Sequence, residues 1–308
     1  MLEGIRDALL ILNPQAGRAR KLPGEQIERI QYILARQGIE TDLALVGPPG
    51  AAEEMARNAV KSRMQLVIVC GGDGTLNAVV NGLAGSHVPL ALLPAGTANI
   101  LAKELSVSWN IERAAETIRR GTLRRIALGK VTTFDDGVHN RYFLSVAGAG
   151  PDGAMVHAVS DRLKRRTGML AFWAEGLRQF ASYRFPRFRV ISGDQSLIGS
   201  LIVVGRTKHY GGPLRLTTGA DLYGGYFELM ICTTRSRLLY LAYLPLAFAG
   251  RMRWAPHTHF MRTTSVRCEP LDGDAAWLQV DGELVGHLPA EFNIVPDALT
   301  LVVPSTSA

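Results

Sequence analysis

The sequence predicts an α/β N-terminal domain with a parallel sheet, followed by a mainly antiparallel β domain. Three observations carry this. Apolar runs of strand length alternate with segments of helical period from Ala8 to Leu105. Polar, glycine-bearing turns recur after the strands of that half. From about Leu123 glycine and threonine multiply between short alternating or apolar runs. At 308 residues, 47% hydrophobic and 20% charged, the chain has the size and balance of a two-domain globular protein, not of a disordered one.

The elements follow in order. Ala8 to Leu12 reads as a buried strand. Glu25 to Gln37 places Ile27, Ile30, Ile33 and Leu34 at helical spacing, with Gly38 positioned to end the helix. Ile39 to Val46 is a second strand, broken by Gly47-Pro48-Pro49-Gly50. Ala51 to Arg63 is a helix, Leu66 to Cys70 a strand, and Leu76 to Leu83 a helix. Val88 to Leu93 and the helical Ala98 to Leu105 complete the βαβα order, which calls for a parallel sheet covered by helices. Ligands of such sheets sit beyond the carboxyl ends of the strands, and the turns after Leu12, Cys70 and Leu93 all lie at that edge.

In the second half the strand-like runs are Arg141 to Val146, Phe188 to Ile191, Leu201 to Val204, Phe227 to Cys232, Trp277 to Val280 and Leu299 to Val303. A helical interruption, Ala154 to Tyr183, is both basic (Arg162, Lys164, Arg165, Arg166) and apolar (Leu170, Phe172, Trp173, Leu177, Phe180). The longest apolar run, Leu238 to Gly250, stands between Arg237 and Arg251. As a helix it reaches about 20 Å, short of the roughly 30 Å of a bilayer core. It reads first as a buried helix, and otherwise as one lying in a membrane interface with its arginines on lipid phosphates.

A net charge of +7 favours acidic partners: nucleic acid, anionic lipid or phosphorylated ligands. The chain lacks the Lys/Arg tracts of nucleic-acid-binding tails, so no nucleic acid is expected. Cys70, Cys232 and Cys268 are odd in number and far apart, which fits a reducing, cytoplasmic setting without disulfides or zinc. Met1 to Asp7 shows no basic start leading into an apolar core, so no secretory signal is expected. The histidines lack a convincing metal spacing, His257 and His259 forming only a weak pair, and no G-x-S-x-G nucleophile elbow occurs.

The turn Gly71-Gly72-Asp73-Gly74-Thr75 is the most informative stretch. Glycines let backbone N–H groups approach a bulky anion, and the following helix adds its positive end. A carboxylate there would repel a bare phosphate, so Asp73 points to a phosphate that arrives with Mg²⁺. Asn13-Pro14-Gln15-Ala16-Gly17 combines a stiff exit with close backbone approach, and Arg18, Arg20 and Lys21 follow with positive charge. Pro94-Ala95-Gly96-Thr97-Ala98-Asn99 offers a hydroxyl and an amide where a helix begins; the plain alternative is an N-cap by Thr97. Asp281-Gly282-Glu283, after a strand, presents two carboxylates or simply a tight hairpin turn. Gly148 to Gly153 fits G-x-G-x-x-G, yet no second βαβ unit surrounds Glu175 downstream, so a tight turn is the better account.

Taken together, the three N-terminal turns, Ser145 to Asp152 and Asp281-Gly282-Glu283 resemble the diacylglycerol kinase catalytic domain of bacterial soluble lipid kinases and sphingosine kinases. The resemblance extends along nearly the whole chain. It implies an NAD kinase/diacylglycerol kinase-like α/β nucleotide domain over residues 1–122, to which a tail near 291–308 returns. It also implies a β-sandwich lipid-substrate domain over 123–290. ATP would be the phosphoryl donor, Mg²⁺ the metal, a lipid the acceptor, and an anionic membrane surface a transient, peripheral partner. Asn13, Gly17, Gly71, Gly72, Asp73, Gly74, Thr75, Leu76, Asn77, Gly96 and Thr97 would hold the nucleotide, with Asp73 acting through the catalytic Mg²⁺. Glu283, ahead of Asp281, would accept the lipid hydroxyl proton.

Two departures stand out. Gly224-Gly225-Tyr226-Phe227-Glu228 lacks the Asp that binds a structural Mg²⁺ in many members, and Asp221 would replace it only in a rearranged loop. Val46 stands where a nucleotide-contacting threonine is common. The expected activity is transfer of the ATP γ-phosphate to a hydroxyl of diacylglycerol or a related lipid. An NAD kinase-like phosphotransferase acting on a soluble acceptor, and a non-catalytic lipid-binding protein, are the alternatives. The motifs leave the acceptor lipid, ATP against GTP, and monomer against dimer open.

Overall fold

A computed structural model describes residues 2, 4–19, 24–134, 137–151, 153, 183–271 and 273–305. The backbone divides into two compact units, Met1–Leu128 with Val295–Ala308, and Gly129–Ile294.

In the first unit, β1 (Asp7–Leu12), β2 (Glu40–Leu45), β3 (Leu66–Gly71) and β4 (Pro89–Pro94) form a parallel sheet in the order β2-β1-β3-β4. Every residue of β3 is buried, as an apolar strand with helices on both faces requires. Beyond β4 the sheet gains the end of the strand Ala290–Val303, whose Thr300 and Leu301 pair in parallel with Pro89 and Leu90. Helix α1 (Gly24–Ala35) buries Ile30 and Leu34, and α2 (Ala51–Lys61) buries its alanine stripe Ala52, Ala56 and Ala59. The helix after β3, α3 (Asp73–Leu83), begins three residues before the Leu76 that the apolar pattern suggests. Gly74 is thus inside the first helical turn, and the glycine-rich stretch is a helix start more than a loop. Conversely α4 (Ile100–Glu104) begins two residues later than Ala98, because Asn99 sits in the left-handed region at φ 46°. Helix α5 (Ile111–Thr117) starts at Asn110, whose side chain accepts the Arg113 N–H.

Strand β5 (Thr122–Thr133) runs into the second unit and pairs there with β6 (His139–Phe143), Gly129 opposite Phe143. The other strands are β7 (Val146–Ala149), β8 (Phe188–Ser192), β9 (Gln195–Gly199), β10 (Leu201–Gly205), the short β11 (His209–Tyr210) and β12 (Leu214–Arg215), β13 (Phe227–Cys232), β14 (Thr258–Thr263), β15 (Ser265–Pro270), β16 (Trp277–Val280), β17 (Glu283–His287) and β18 (Ala290–Val303). One antiparallel sheet has the order β14-β13-β10-β7-β16-β17; in the other, β18 pairs β15, β15 pairs β8 and β8 pairs β9.

Side-chain alternation explains the layering. Phe227, Leu229 and Ile231 of β13, with Ile202 and Val204 of β10, join Val190, Val266 and Phe292 in the core between the sheets. Phe143 stacks on Phe227 at 5.6 Å and meets Phe292 edge-on at 6.5 Å. The intervening residues Met230, Cys232, Leu201 and Val203 face the opposite side, where α6 (Arg237–Ala249) covers them with Tyr240, Tyr243 and Ala247.

Two expectations are corrected here. Arg141 to Val146 is not one strand: β6 ends at Phe143 and β7 starts at Val146, since the backbone N–H groups of Leu144, Ser145 and Val146 turn to the Asp281 carboxylate. Helix α6 is not buried all round: one face packs inward and the other, with Leu238 and Phe248, is exposed. The helix expected over Ala154 to Tyr183 lies outside the described residues, Tyr183 apart.

Candidate functional site

Within the first unit, the three polar turns converge. Asn13 donates its backbone N–H to the Cys70 carbonyl (3.0 Å) and its amide Nδ2 to Thr75 Oγ1 (2.8 Å), so the turn after β1 is tied to the first turn of α3. Its Oδ1 accepts the Gln15 N–H at 2.9 Å, a side-chain turn that shapes the loop. The Arg18 N–H reaches the Ala95 carbonyl at 2.7 Å, linking the same loop to the turn after β4. That turn and the glycine turn touch through backbone alone. A Cβ on Gly96 would lie 2.5 Å from Gly72 Cα, and one on Gly17 would lie 3.2 Å from the Ala95 oxygen. No larger residue fits at Gly96 without parting the two loops.

Asp73 and Asn99 complete the junction. Asp73 Oδ1 accepts the N–H of Ile100, first residue of α4, at 2.7 Å, so this carboxylate caps a second helix from the start of its own. Buried Asn99 accepts the Gly96 N–H and returns its Nδ2 to the Gly96 carbonyl, both at 2.9 Å. Gly72, Asp73, Gly74 and Thr75 are partly accessible at the carboxyl end of β3, and Thr97 is exposed. Their surroundings are those of an anion cradle: backbone N–H groups of an 11-residue helix start, glycine on two sides, and a hydroxyl at the rim. Leu76 and Asn77 stand apart. Leu76 belongs to the core, and Asn77 is buried with its Oδ1 and carbonyl accepting from Asn81, so both anchor α3 from behind. The Arg18 guanidinium donates to the Trp109 carbonyl (2.9 Å) and lies 5.0 Å over the Trp109 ring, which holds its charge beside the first loop. Arg20 and Lys21 lie outside the described residues. Thr97 does not cap α4; Asn99 is the residue at that position.

Within the second unit, Asp281 and Glu283 have different surroundings. Asp281 and Gly282, at φ 47° and 85°, make the two-residue turn between β16 and β17, so the tight-hairpin reading of this pair holds. The Asp281 carboxylate accepts three backbone N–H groups at 2.9 Å each: Leu144 on Oδ2, Ser145 and Val146 on Oδ1. That set organises the break between β6 and β7 and occupies three of the roughly four lone-pair sites a carboxylate offers. Glu283 instead has a side chain 46% exposed, paired with Arg141 at 3.3 Å. It borders a cavity of about 330 Å³ lined also by Val131, Thr133, His139, Asn140 and Arg141. Of the two carboxylates, Glu283 is the more accessible.

Gly150 and Gly153 serve packing. A Cβ on Gly150 would fall 2.5 Å from the Ser200 carbonyl oxygen, and one on Gly153 would strike the Trp277 carbonyl.

The structural Mg²⁺ site fares otherwise. Arg206 follows β10 with its guanidinium fully buried, donating to the carbonyls of Gly224 (2.5 Å), Tyr226 (3.2 Å) and Leu222 (2.7 Å). Burial pushes its pKa down to about 10, with Asp221 opposing the shift, so it stays charged at neutral pH. Asp221 Oδ1 accepts the Tyr223 N–H at 3.0 Å, while buried Glu228 accepts the Gly219 N–H at 2.6 Å and pairs with Arg253. The carbonyls of Leu222, Gly224 and Tyr226 are turned on a guanidinium, so the loop as it stands does not fit a structural Mg²⁺ on Asp221. Among the described residues no group of three or more His, Cys, Asp or Glu is arranged to hold a metal.

Two family models match the chain in succession: the diacylglycerol kinase catalytic domain over residues 7–131, and the YegS C-terminal NAD kinase beta sandwich-like domain over residues 145–303. The chain belongs to the diacylglycerol kinase catalytic domain family. It is similar to a diacylglycerol kinase of Bacillus subtilis (strain 168), 28% identical over 309 residues that cover 99% of this chain and 98% of the relative. A diacylglycerol kinase of Mycobacterium tuberculosis (strain ATCC 25618 / H37Rv) is 28% identical over 302 residues, 96% of this chain and 94% of the relative. The fold is that of a crystal structure of a diacylglycerol kinase from Bacillus anthracis str. Sterne, with a TM-score of 0.77, 20% identity and 98% of each chain covered. The α/β half with its parallel sheet and the antiparallel β-sandwich half are therefore those of this kinase family.

Asn99, whose amide the Pro94 to Asn99 motif already offered, closes the turn after β4 at φ 46°. Two residues outside the motifs also matter to this geometry. Arg141 pairs with Glu283, and Arg206 holds the 222–226 loop. Nothing in their local sequence announces either contact.

Proposed function

We propose that this chain is an ATP- and Mg²⁺-dependent lipid kinase, which transfers the γ-phosphate to a hydroxyl of diacylglycerol or a related lipid. The observation that carries the reading is the backbone cradle at the start of α3, where glycine from two turns leaves room for phosphate and the helix end favours it. Residues 1–122, with the tail 291–308, are the nucleotide-binding part; residues 123–290 carry the lipid. Asn13, Gly17 and Thr97 complete the nucleotide site around Gly71 to Thr75. Asp73, a carboxylate at a partly accessible helix start, fits a metal held on phosphate oxygens. Such a Mg²⁺, when bound, neutralises charge on the transferring group. Glu283 takes the proton from the lipid hydroxyl, while Arg141 orients the Glu283 carboxylate. Asp281 acts by positioning: it fixes the backbone on which Ser145 and Val146 stand. The enzyme works from the cytoplasm on a membrane surface. Among the described residues no helix is long and apolar enough to cross a membrane.

The test is transfer of labelled γ-phosphate from ATP with Mg²⁺ to a panel of lipids in mixed micelles. A labelled lipid that is lost with Glu283→Gln supports the reading. Absence of transfer to every lipid, with ATP binding intact, would overturn it.

A further inference from the structure

After Arg237, helix α6 presents water with a face that has no charged side chain. Its exposed positions include Leu238 (77% exposed), Leu241 (41%), Leu244 (39%) and Phe248 (50%), and Trp254 just beyond it is 69% exposed. A helix on the surface of a globular protein normally carries charge on that side, and contiguous apolar exposure marks a binding surface. The opposite side is firmly seated: Tyr240 OH meets Ser200 Oγ at 3.0 Å and Tyr243 OH donates to the Pro256 carbonyl at 2.5 Å. The face is therefore a fixed feature of the fold and not a frayed segment.

The charge around it selects the occupant. From Leu229 to Cys268 the chain has six arginines and neither Asp nor Glu. Arg235 and Arg237 stand at the start of α6, donating to the carbonyls of Arg184 (2.9 Å) and Tyr183 (3.1 Å). A cavity of about 500 Å³ opens there, lined by Arg184, Arg235 and Arg237 with Tyr183, Phe185 and Ser236. At the other end Arg251 lies 4.7 Å over the ring of Trp254. Arginine at both ends of an apolar stripe about 20 Å long, with a tryptophan at its rim, is what an anionic bilayer surface would match.

We infer that α6 and Trp254 dock this protein on an anionic membrane, the helix lying in the plane of the interface with Leu238, Leu241, Leu244 and Phe248 in the acyl layer and Arg237 and Arg251 on lipid phosphates. The inference gives the lipid-kinase reading its surface of approach, yet binding itself needs neither ATP nor an acceptor. A second copy of the chain is the competing occupant.

The experiment uses the full chain without nucleotide, sedimented with vesicles of phosphatidylcholine alone or mixed with phosphatidylglycerol. Binding is expected to the mixed vesicles and to fall roughly 30-fold in Arg237→Gln/Arg251→Gln, about fivefold for each charge. The pair Leu241→Ser/Phe248→Ser is expected to lose more. Should the serine pair fail to fold, brominated phosphatidylcholine in the mixed vesicles decides: it quenches Trp254, and the quenching disappears in Trp254→Phe. Equal binding to both vesicle types, binding undiminished in variants that melt like the parent, or an unquenched Trp254 would overturn the inference. So would a dimer that the serine pair dissociates. Phosphorylation of a short-chain, water-soluble diacylglycerol persists in all these variants; its absence in the parent sinks the kinase reading and leaves the docking result standing.

Discussion

The division of labour between Asp281 and Glu283 can be read out by replacing Asp281 with Asn. Asparagine keeps the shape and tolerates the φ of 47° at this turn, so the hairpin survives and only the charge and part of the accepting capacity go. Three backbone N–H groups now rely on that carboxylate. Hydrogen bonds to a charged acceptor contribute about 1.5–3 kcal/mol each. Retaining one accepting oxygen while losing the charge should cost about 2–3 kcal/mol, a melting shift of roughly 4–12 °C for a domain of this size. Asp281→Ala should cost about 4–6 kcal/mol, since every acceptor is lost and alanine is strained at positive φ. Glu283→Gln is the counterpart: a half-exposed ion pair contributes about 0–1 kcal/mol, so stability barely moves while turnover collapses by about 100-fold or more. Thermal melts and labelled-phosphate transfer on the same preparations settle it. If Asp281→Asn melts like the parent but cannot transfer phosphate, and Glu283→Gln remains active, the roles assigned to the two residues are reversed.

Asp73→Asn keeps an oxygen for the Ile100 N–H and removes the negative charge, so stability should change by no more than about 1 kcal/mol while Mg²⁺-dependent transfer is lost; retained transfer would reduce Asp73 to a helix cap. Arg206→Met should destabilise by about 3–5 kcal/mol, because buried and half-buried carbonyls lose their donor, and chelation of divalent ions should leave the parent's melting temperature unchanged; a fall on chelation would restore a structural metal. The buried thiol of Cys70 is pushed up to about 12 from an ordinary 9.0, and burial raises Cys268 as well. Neither should react with iodoacetamide at pH 8 until the chain unfolds. Below pH 9 these thiols contribute nothing to pH dependence. As pH climbs from 9 towards 12 the unfolded chain releases thiol protons that the folded one retains, so stability falls by about 1.4 kcal/mol per pH unit for each, which urea titrations at stepped pH would show.

The parallel sheet was legible because three of its strands, β1, β3 and β4, are mostly apolar runs, and a strand such as Leu66–Gly71, buried on both faces, leaves no other reading. The convergence of the three turns was legible too, from the rule that ligands gather at the carboxyl edge. What stayed hidden was contact between distant residues. Asp281 breaks the strand at Leu144 from 137 positions away, and no local pattern records that. Arg206 spends its charge on backbone carbonyls, which carry no side-chain signature. Helix α6 misled for another reason: Arg237–Ala249 is apolar on every side after its first residue, so its period could not say which face meets water.

Strand β18 sets a timetable. The edge of β4 that accepts Thr300 and Leu301 is complete once Pro94 has left the ribosome, yet its partner is made some two hundred residues later. At about 5–20 residues per second that is a delay on the order of 10–40 s. Throughout it, an apolar parallel strand waits with one edge open, the condition under which chains pair with the wrong neighbour. A chain stopped before Val295 should therefore collect in the insoluble fraction, even though all four strands that precede the gap are present.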